Sequence, residues 1–492
     1  MAMNRRDFVG RGAALVAGGG LAVPGLLVGK ATGQDPVIPT SSEPPVRLGV
    51  VGLNGRGGSL MNAFHNLPEA SIVGLCDVDS TVLDRRALEI EEKGATVATY
   101  RDFRRMIDSD EIDAVVIATP NHWHALMAVW AADAGKHVYV EKPVSHNVLE
   151  GRAIVSAAER NGICCQTGTQ SRSSSAVRSA IDFARSGALG KITCVRGLCY
   201  KPRRSIGKVR GPGFVPETID YHRWLGPAPY EPLNRGRLHY DWHWHDQTGN
   251  GDLGNQGVHQ MDIARWGAGH DRLPDRAWSV GGRVGYDDDG NTPNTQVIVL
   301  EYEDGAPMVF EVRGLPRDLK QQTDKWDMDT HHGMSIGVIL HCEQGEVRIP
   351  KGYSRGFALD LDGNELQKWE GGGNHQANFI EAVRADDPSL LNAPISEGHL
   401  SSACCHVGMV SHELGGQGTI DDARTAAVGE IEREAVVRMQ GHMEANGLGD
   451  APMTIGRRIA IDSAGESAPD PVVNARFTRT CRQPFVFPDH GS

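Results

Sequence analysis

The 492-residue chain has no C-x-x-C pair, no extended basic run and no internal repeat. Its most apolar stretch, Ala13 to Val28, is short for a membrane span and rich in glycine. Without C-x-x-C, the usual zinc and thioredoxin spacings are missing. His243, His245 and His259 do not follow a recognised ligand spacing either, so no metal is expected. Nine cysteines, an odd number, include the neighbours Cys164-Cys165 and Cys404-Cys405. Disulfide geometry keeps neighbours from bridging each other, and most of the nine read as small buried apolar residues. Lys+Arg 50 against Asp+Glu 62 gives a net charge of −12. That balance argues against nucleic acid or an anionic membrane as the main partner.

Basic residues do gather at the N-terminus. Asn4-Arg5-Arg6-Asp7-Phe8-Val9 is a twin-arginine pattern, followed by the Ala/Gly-rich stretch. Residues 1–33 are therefore expected to be a signal read by the twin-arginine export machinery, with a periplasmic or extracellular destination in a bacterial cell. Residues 34–45, rich in Pro and Ser, read as a linker.

From Val46 short apolar strands alternate with helices. Strands are expected over 47–52, 71–77, 114–119, 137–142 and 163–169, and helices over 56–66, 80–93, 124–134 and 148–161. The alternation predicts an α/β fold, with a Rossmann-type doubly wound parallel sheet over 46–170. Residues 171–415 change style. Longer alternating runs at 192–201, 278–286, 295–302, 308–312 and 335–342 predict a C-terminal α/β domain with an open, mainly antiparallel sheet. A Trp/His/Gly-rich insert, 202–255, reads as loop, and helices are expected at 375–385 and 396–415. The extension 416–492 holds one expected helix, 420–446.

Gly52-Leu53-Asn54-Gly55-Arg56-Gly57 lies between the first strand and helix. It matches the dinucleotide fingerprint G-x-G-x-x-G with Asn54 in place of the second glycine. Gly52, Asn54, Gly55, Arg56 and Gly57 are the candidate pyrophosphate cradle, because a helix N-terminus offers free N–H groups to an anion. Asp77 ends the next strand at the spacing of a ribose-binding carboxylate. Its charge repels a 2′-phosphate, so NAD is expected rather than NADP. Thr119, Pro120, Asn121 and His124 should border the same crevice, with Asn121 also a candidate N-cap.

Glu141-Lys142-Pro143 follows the apolar run His137-Val138-Tyr139-Val140. It places Glu141 and Lys142 in the crevice, and an ammonium in a partly dry crevice loses its proton near neutral pH. A second dense segment, Gly249 to Trp266, reads as a glycine-rich loop entering a helix. Asn255 and His259 share a face at i, i+4, and Asp262 is placed to orient the His259 ring. Removing hydride from a carbinol carbon also requires removing the hydroxyl proton. A histidine and a lysine together suit that task, so Lys142, His259 and Asn255 are the candidate catalytic residues. Gln170, Arg172, Trp242, His243, Trp244 and Asp262 are the candidate substrate contacts. The aromatic residues suit stacking on sugar rings, though a packed loop would use them equally well.

The chain resembles the Gfo/Idh/MocA family, which includes glucose–fructose oxidoreductase and inositol 2-dehydrogenase. The resemblance rests on V-V-G-L-N-G-R-G at Val50–Gly57, C-D-V-D at Cys76–Asp79, T-P-N-H-W-H at Thr119–His124, E-K-P at Glu141–Pro143 and G-N-Q-G-V-H-Q-M-D at Gly254–Asp262. It implies an NAD(P)-dependent oxidoreductase acting on a sugar or cyclitol, a sheet-mediated homo-oligomer (dimer or tetramer), and an active-site lysine with a D-x-x-x-H pair. The implied aspartate falls on Asn255, which cannot take a proton at neutral pH. The leading expectation is an exported NAD-dependent enzyme acting on a hydroxyl of a small carbohydrate, with its cofactor held and recycled. A redox-neutral glycosidase or epimerase is the alternative, although the Y-P-T-H-G motif of the family's NAD-dependent glycosidases is missing. A non-catalytic carbohydrate-binding protein is the third reading.

Overall fold

The computed structural model describes residues 44–489, so the expected signal over 1–33 and most of the linker lie outside the described residues. The first sheet holds β1 (Val46–Val51), β2 (Ala70–Cys76), β3 (Ala98–Tyr100), β4 (Ala114–Ile117), β5 (His137–Val140) and β6 (Cys165–Thr167). All pair in parallel, in the order β3-β2-β1-β4-β5-β6. This is the doubly wound nucleotide-binding order, with its switch point between β1 and β4. Five helices connect the strands: α1 (Arg56–His65), α2 (Ser80–Glu91), α3 (Phe103–Ile107), α4 (Asn121–Asp133) and α5 (Val148–Asn161).

Local chemistry sets several of these limits. Asn147 caps α5 by accepting from the Glu150 N–H, and Gly162 ends it in the left-handed region at φ 63°. The strand β3 and helix α3 were not expected; three and five residues are too few to show a period. The expected strand 137–142 ends two residues early, because Glu141 and Lys142 turn into the crevice ahead of Pro143. Helix α4 is buried nearly all round, which is why its sequence carries little amphipathic pattern.

The second sheet follows α6 (Ser175–Arg185), which was also not expected. It comprises β7 (Ile192–Tyr200), β8 (Arg276–Gly282), β9 (Thr295–Glu301), β10 (Met308–Arg313), β11 (Ile336–Cys342), β12 (Gly345–Pro350), β13 (Arg355–Asp360), β14 (Glu365–Glu370), β15 (Gly416–Gly418), β16 (Met453–Ile455) and β17 (Ile459–Ala460). The order is β14-β13-β12-β11-β7-β10-β9-β8-β16-β15, with β17 also on β8, and β7–β10 is its parallel pair. The insert 202–255 is mostly loop, as expected, with a short α7 (Tyr221–Leu225). Helix α8 (Val258–Ala268) joins α6 and α10 (Ile395–Glu413) in the core on one face of the sheet.

Helix α9 (His375–Ala385) returns to the first sheet, where Phe379 meets Phe64 and Tyr139 edge-on at 6.2 and 5.7 Å. The single helix expected over 420–446 is two, α11 (Ile420–Ala426) and α12 (Glu430–Ala445), interrupted at Ala427-Val428-Gly429. Together they cover the other face of the second sheet through Val436, Met439 and Met443 against Trp278, Val297 and Val309. All nine cysteines are free thiols, and eight are buried. No helix among the described residues is long and apolar enough to cross a membrane.

Candidate active site

A cavity of about 490 Å³ opens at the carboxyl ends of β1, β2 and β4. One end is a glycine cradle. Gly52 and Gly55 adopt φ of +78° and +56°, and a Cβ on Gly57 would lie 1.7 Å from the Gly52 carbonyl oxygen. That position requires glycine so that α1 can approach β1. No side chain caps the start of α1, and its first turn holds no acidic residue. Its free N–H groups suit a pyrophosphate. Asp77 stands beside the cradle, its carboxylate accepting from the Leu53 N–H at 2.8 Å and the Asp79 N–H at 3.0 Å. Burial pushes its carboxyl up, and these hydrogen bonds oppose the shift.

Lys142, Asn255 and His259 line the same cavity. The Lys142 ammonium donates to the Asn255 carbonyl at 2.9 Å, with the Asn255 side-chain oxygen 3.5 Å away. Residues 253–257 form a wide π-type turn before α8, and this turn presents the carbonyl. Burial pushes Lys142 down to about 8 against the pull of Glu141. His259 is pushed down to about 3 by burial and by the Lys142 charge, so it is neutral across the physiological range. Glu141 is 4% exposed and pairs with Arg56 at 2.8 Å. Burial alone would raise its carboxyl, but Arg56 and Lys142 outweigh that and hold it below the usual range. Gln170 reaches the same group, donating to Tyr139 Oη at 3.0 Å and to Glu141 Oε1 at 3.2 Å.

The rim comes from distant parts of the chain. The insert bonds onto the first sheet's mouth, with Asp220 N–H to the Val78 carbonyl and Ser80 N–H to the Thr218 carbonyl, both at 3.0 Å. His239 Nε2 lies 2.9 Å from Asp79 Oδ2. Trp242 and His243 stack at 3.6 Å and face the cavity with Tyr240. The C-terminal segment closes the remaining side. Phe485 is 2% exposed and meets Trp123 edge-on at 5.2 Å. Arg482 donates to the carbonyls of His222 and Ala228, and Arg479 to Glu150 and the His122 carbonyl. Tail, insert and α4 are thus laced together around the cavity.

Two family models match the chain: "Oxidoreductase family, NAD-binding Rossmann fold" over residues 46–169 and "Oxidoreductase family, C-terminal alpha/beta domain" over 190–321. Together they cover more than half of the 492 residues. The chain belongs to the Gfo/Idh/MocA oxidoreductase family. A "Glycosyl hydrolase family 109 protein" of Saccharopolyspora erythraea is 32% identical over 260 residues, 47% of this chain and 56% of that one. An "Alpha-N-acetylgalactosaminidase" of Shewanella oneidensis is 35% identical over 125 residues, 24% of this chain and 27% of that one. The chain therefore matches about half or less of the length of these relatives. Among solved structures, the WlbA dehydrogenase of Bordetella pertussis with NADH and UDP-GlcNAcA shares the fold at TM-score 0.51 and 19% identity, covering 73% of this chain and 93% of that one. The aldose-aldose oxidoreductase of Caulobacter crescentus does so at TM-score 0.53 and 18% identity, covering 73% and 94%.

The cradle, Asp77 and the uncapped start of α1 fit the NAD of this family. Gly52, Asn54, Gly55, Arg56, Asp77, Thr119, Pro120, Asn121, His124, Glu141, Lys142, Gln170, Trp242, His243, Asn255 and His259 all line the cavity, whereas Gly57 serves the approach of α1 to β1. Four expectations need correction. Asp262 does not orient His259 or meet substrate. It is fully buried, accepting from Arg172 at 2.9 Å and from the Ser401 hydroxyl at 2.8 Å. Arg172 is spent on Asp262 and Glu397 and lies over the Trp266 ring. Trp244 is 3% exposed beneath Arg203 and packs the insert. Asn121 does not cap α4; it is the first helical residue, and its amide donates to Asn250 at 2.9 Å. Phe485, Trp123, Trp130, Arg223 and His239 were missed because nothing near them in sequence marks a nucleotide pocket.

Proposed function

We propose that this protein is an NAD-dependent enzyme that oxidises a hydroxyl-bearing carbon of a sugar, glycoside or cyclitol and keeps its cofactor through many cycles. The observation that carries the reading is Lys142, which lines the same cavity as Asp77 and is held on the Asn255 carbonyl. Bound NAD supplies a hydride acceptor. Lys142, deprotonating near pH 8, takes the hydroxyl proton on its Nζ. Neutral His259 and the Asn255 amide hold the hydroxyl in line, and Trp242 with His243 offers a flat wall to a sugar ring. His259 is too weak a base to share the proton-transfer duty expected of it.

Retention is supported by the laced rim, since Phe485 and the insert must part before a nucleotide can leave. It also agrees with the twin-arginine reading of residues 1–33, under which the folded chain leaves the cytoplasm with NAD aboard and assembles as a dimer or tetramer. A redox-neutral cycle is the second reading, favoured by the glycosidase names of two similar proteins. There the ketone formed transiently acidifies the neighbouring carbon, and the hydride returns after glycoside cleavage or epimerisation. The test is single-turnover mixing of the purified protein with a panel of sugars and glycosides, following reduced-nicotinamide absorbance. A panel that never perturbs the bound cofactor contradicts the proposal.

A further inference from the structure

Arg56 and Lys142 line the cavity, Lys201 and Arg203 lie near enough to act on Lys142, and the four cations are not equally matched. Arg56 is paired with Glu141 at 2.8 Å, and Arg203 with Asp252 at 2.6 Å. Lys142 and Lys201 hold neutral acceptors instead. Lys142 donates to the Asn255 carbonyl, and Lys201, directly after β7, donates to Gln256 Oε1 at 2.6 Å. Asn255 and Gln256 are consecutive on the π-type turn, so two ammonium groups converge on one turn. Among the described residues neither lies within ion-pair distance of a carboxylate. Asp252, the nearest counter-charge for Lys201, is already held by Arg203.

Tyr353 completes the group. It sits in the β12–β13 turn at φ +54°, a left-handed conformation that is uncommon and costly outside glycine. Both Gln256, at 3.3 Å, and Gln260 donate amide hydrogens to its hydroxyl, and its ring lies 6.0 Å from His259. With both amide donors aimed at its oxygen, the Tyr353 hydroxyl is left to donate its own hydrogen outward. Lys142, Asn255 and His259 line the cavity, and Lys201 and Tyr353 adjoin them through their hydrogen bonds to Gln256; all six are half-buried.

We propose that Lys201 and the Tyr353 hydroxyl, beside Lys142, form a subsite for an oxyanion carried by the substrate, so that the enzyme takes an acidic sugar in preference to a neutral one. This deepens the carbohydrate reading above and rests on it. Like charges in a partly dry cleft repel strongly, and a neutral sugar leaves that repulsion in place. An oxyanion relieves it and gains charge-assisted hydrogen bonds from the Lys201 ammonium and from the phenol. A carboxylate on the ring and a phosphate ester share this chemistry.

The experiment uses the full chain loaded with NADH and follows the change in bound reduced-nicotinamide fluorescence. The probes are glucose, glucuronate, galacturonate and glucose 6-phosphate. At least one acidic sugar should bind about tenfold or more tightly than glucose, the worth of one charge-assisted hydrogen bond. Lys201→Met should lower the acid-to-neutral preference about tenfold, and Lys201→Arg should restore most of it. The uronates and the phosphate ester then show which oxyanion is meant. An unchanged preference in Lys201→Met, or glucose binding as tightly as the acids, overturns the subsite while leaving the oxidoreductase reading intact. If no sugar of either charge binds, titration with sulfate and acetate decides. Saturable binding that Lys201→Met weakens supports the subsite even as the carbohydrate reading fails, and no saturable binding overturns it.

Discussion

The Lys142 ammonium rests on the main-chain carbonyl of Asn255, 2.9 Å away, where the family resemblance implies an acidic side chain two bonds from the same backbone. A carboxylate there would hold the ammonium charged. A carbonyl and an amide hold it less strongly, and burial brings Lys142 down to about 8 against the pull of Glu141. Under the proposed oxidation, asparagine at 255 therefore leaves proton transfer to the lysine.

Lys142→Met should abolish turnover while leaving bound NAD in place, because the cradle offers the pyrophosphate backbone N–H groups of the Gly52–Gly57 turn and the start of α1, which the substitution leaves intact. In the unmutated enzyme the neutral amine is the working form for oxidation. The rate should rise about tenfold per pH unit below pH 8 and level off above it, as the ammonium loses its proton. A turnover assay with mass spectrometry of the retained cofactor checks the first claim, and a pH–rate series the second.

Asn255→Asp places a negative charge beside Lys142. The rising limb of the pH profile should move to higher pH and the rate at neutral pH should fall, with the fold unchanged by circular dichroism. A limb that stays in place would show that the titrating group is not Lys142.

Asp77→Ala should weaken NAD binding and narrow the gap between NAD and NADP. The carboxylate that repels a 2′-phosphate is then gone, and with it the side-chain acceptor for the Leu53 and Asp79 N–H groups. Calorimetric titration of both cofactors into stripped protein measures the gap. Equal affinities in the unmutated protein would remove Asp77 as the selector.

Phe485→Ala should speed release of NAD about tenfold or more by opening the wall that Phe485 builds against Trp123. Arg482→Ala, which cuts the tail's bonds to the His222 and Ala228 carbonyls, should act in the same direction with less loss of packing. Dilution of labelled holoprotein into unlabelled NAD gives both rates.

What could be read from the sequence follows the range of the interactions. The turn Gly52–Gly57 and the limits of α5 depend on neighbours within a few residues, Asp77 stands at a fixed spacing one strand further on, and the sequence shows all three. Strand β3 and helix α3 are equally local but too short to display a period. Asp262 illustrates the opposite case. Its spacing from His259 suggests a pair, yet its carboxylate is claimed by Arg172 and Ser401, from segments far away along the chain. Phe485 is invisible as a cofactor contact for the same reason, since only the fold carries the tail back to Trp123. The pattern also gave no hint of β12–β14, and so none of Tyr353.

The central claim is that NAD stays bound while the hydride goes out and returns. The direct measurement loads the protein with isotopically labelled NAD, removes the free cofactor, and supplies substrate in the presence of excess unlabelled NAD. Label retained over many product molecules is the predicted result. Label lost once per catalytic event would contradict it and mark a dehydrogenase that exchanges its cofactor every cycle.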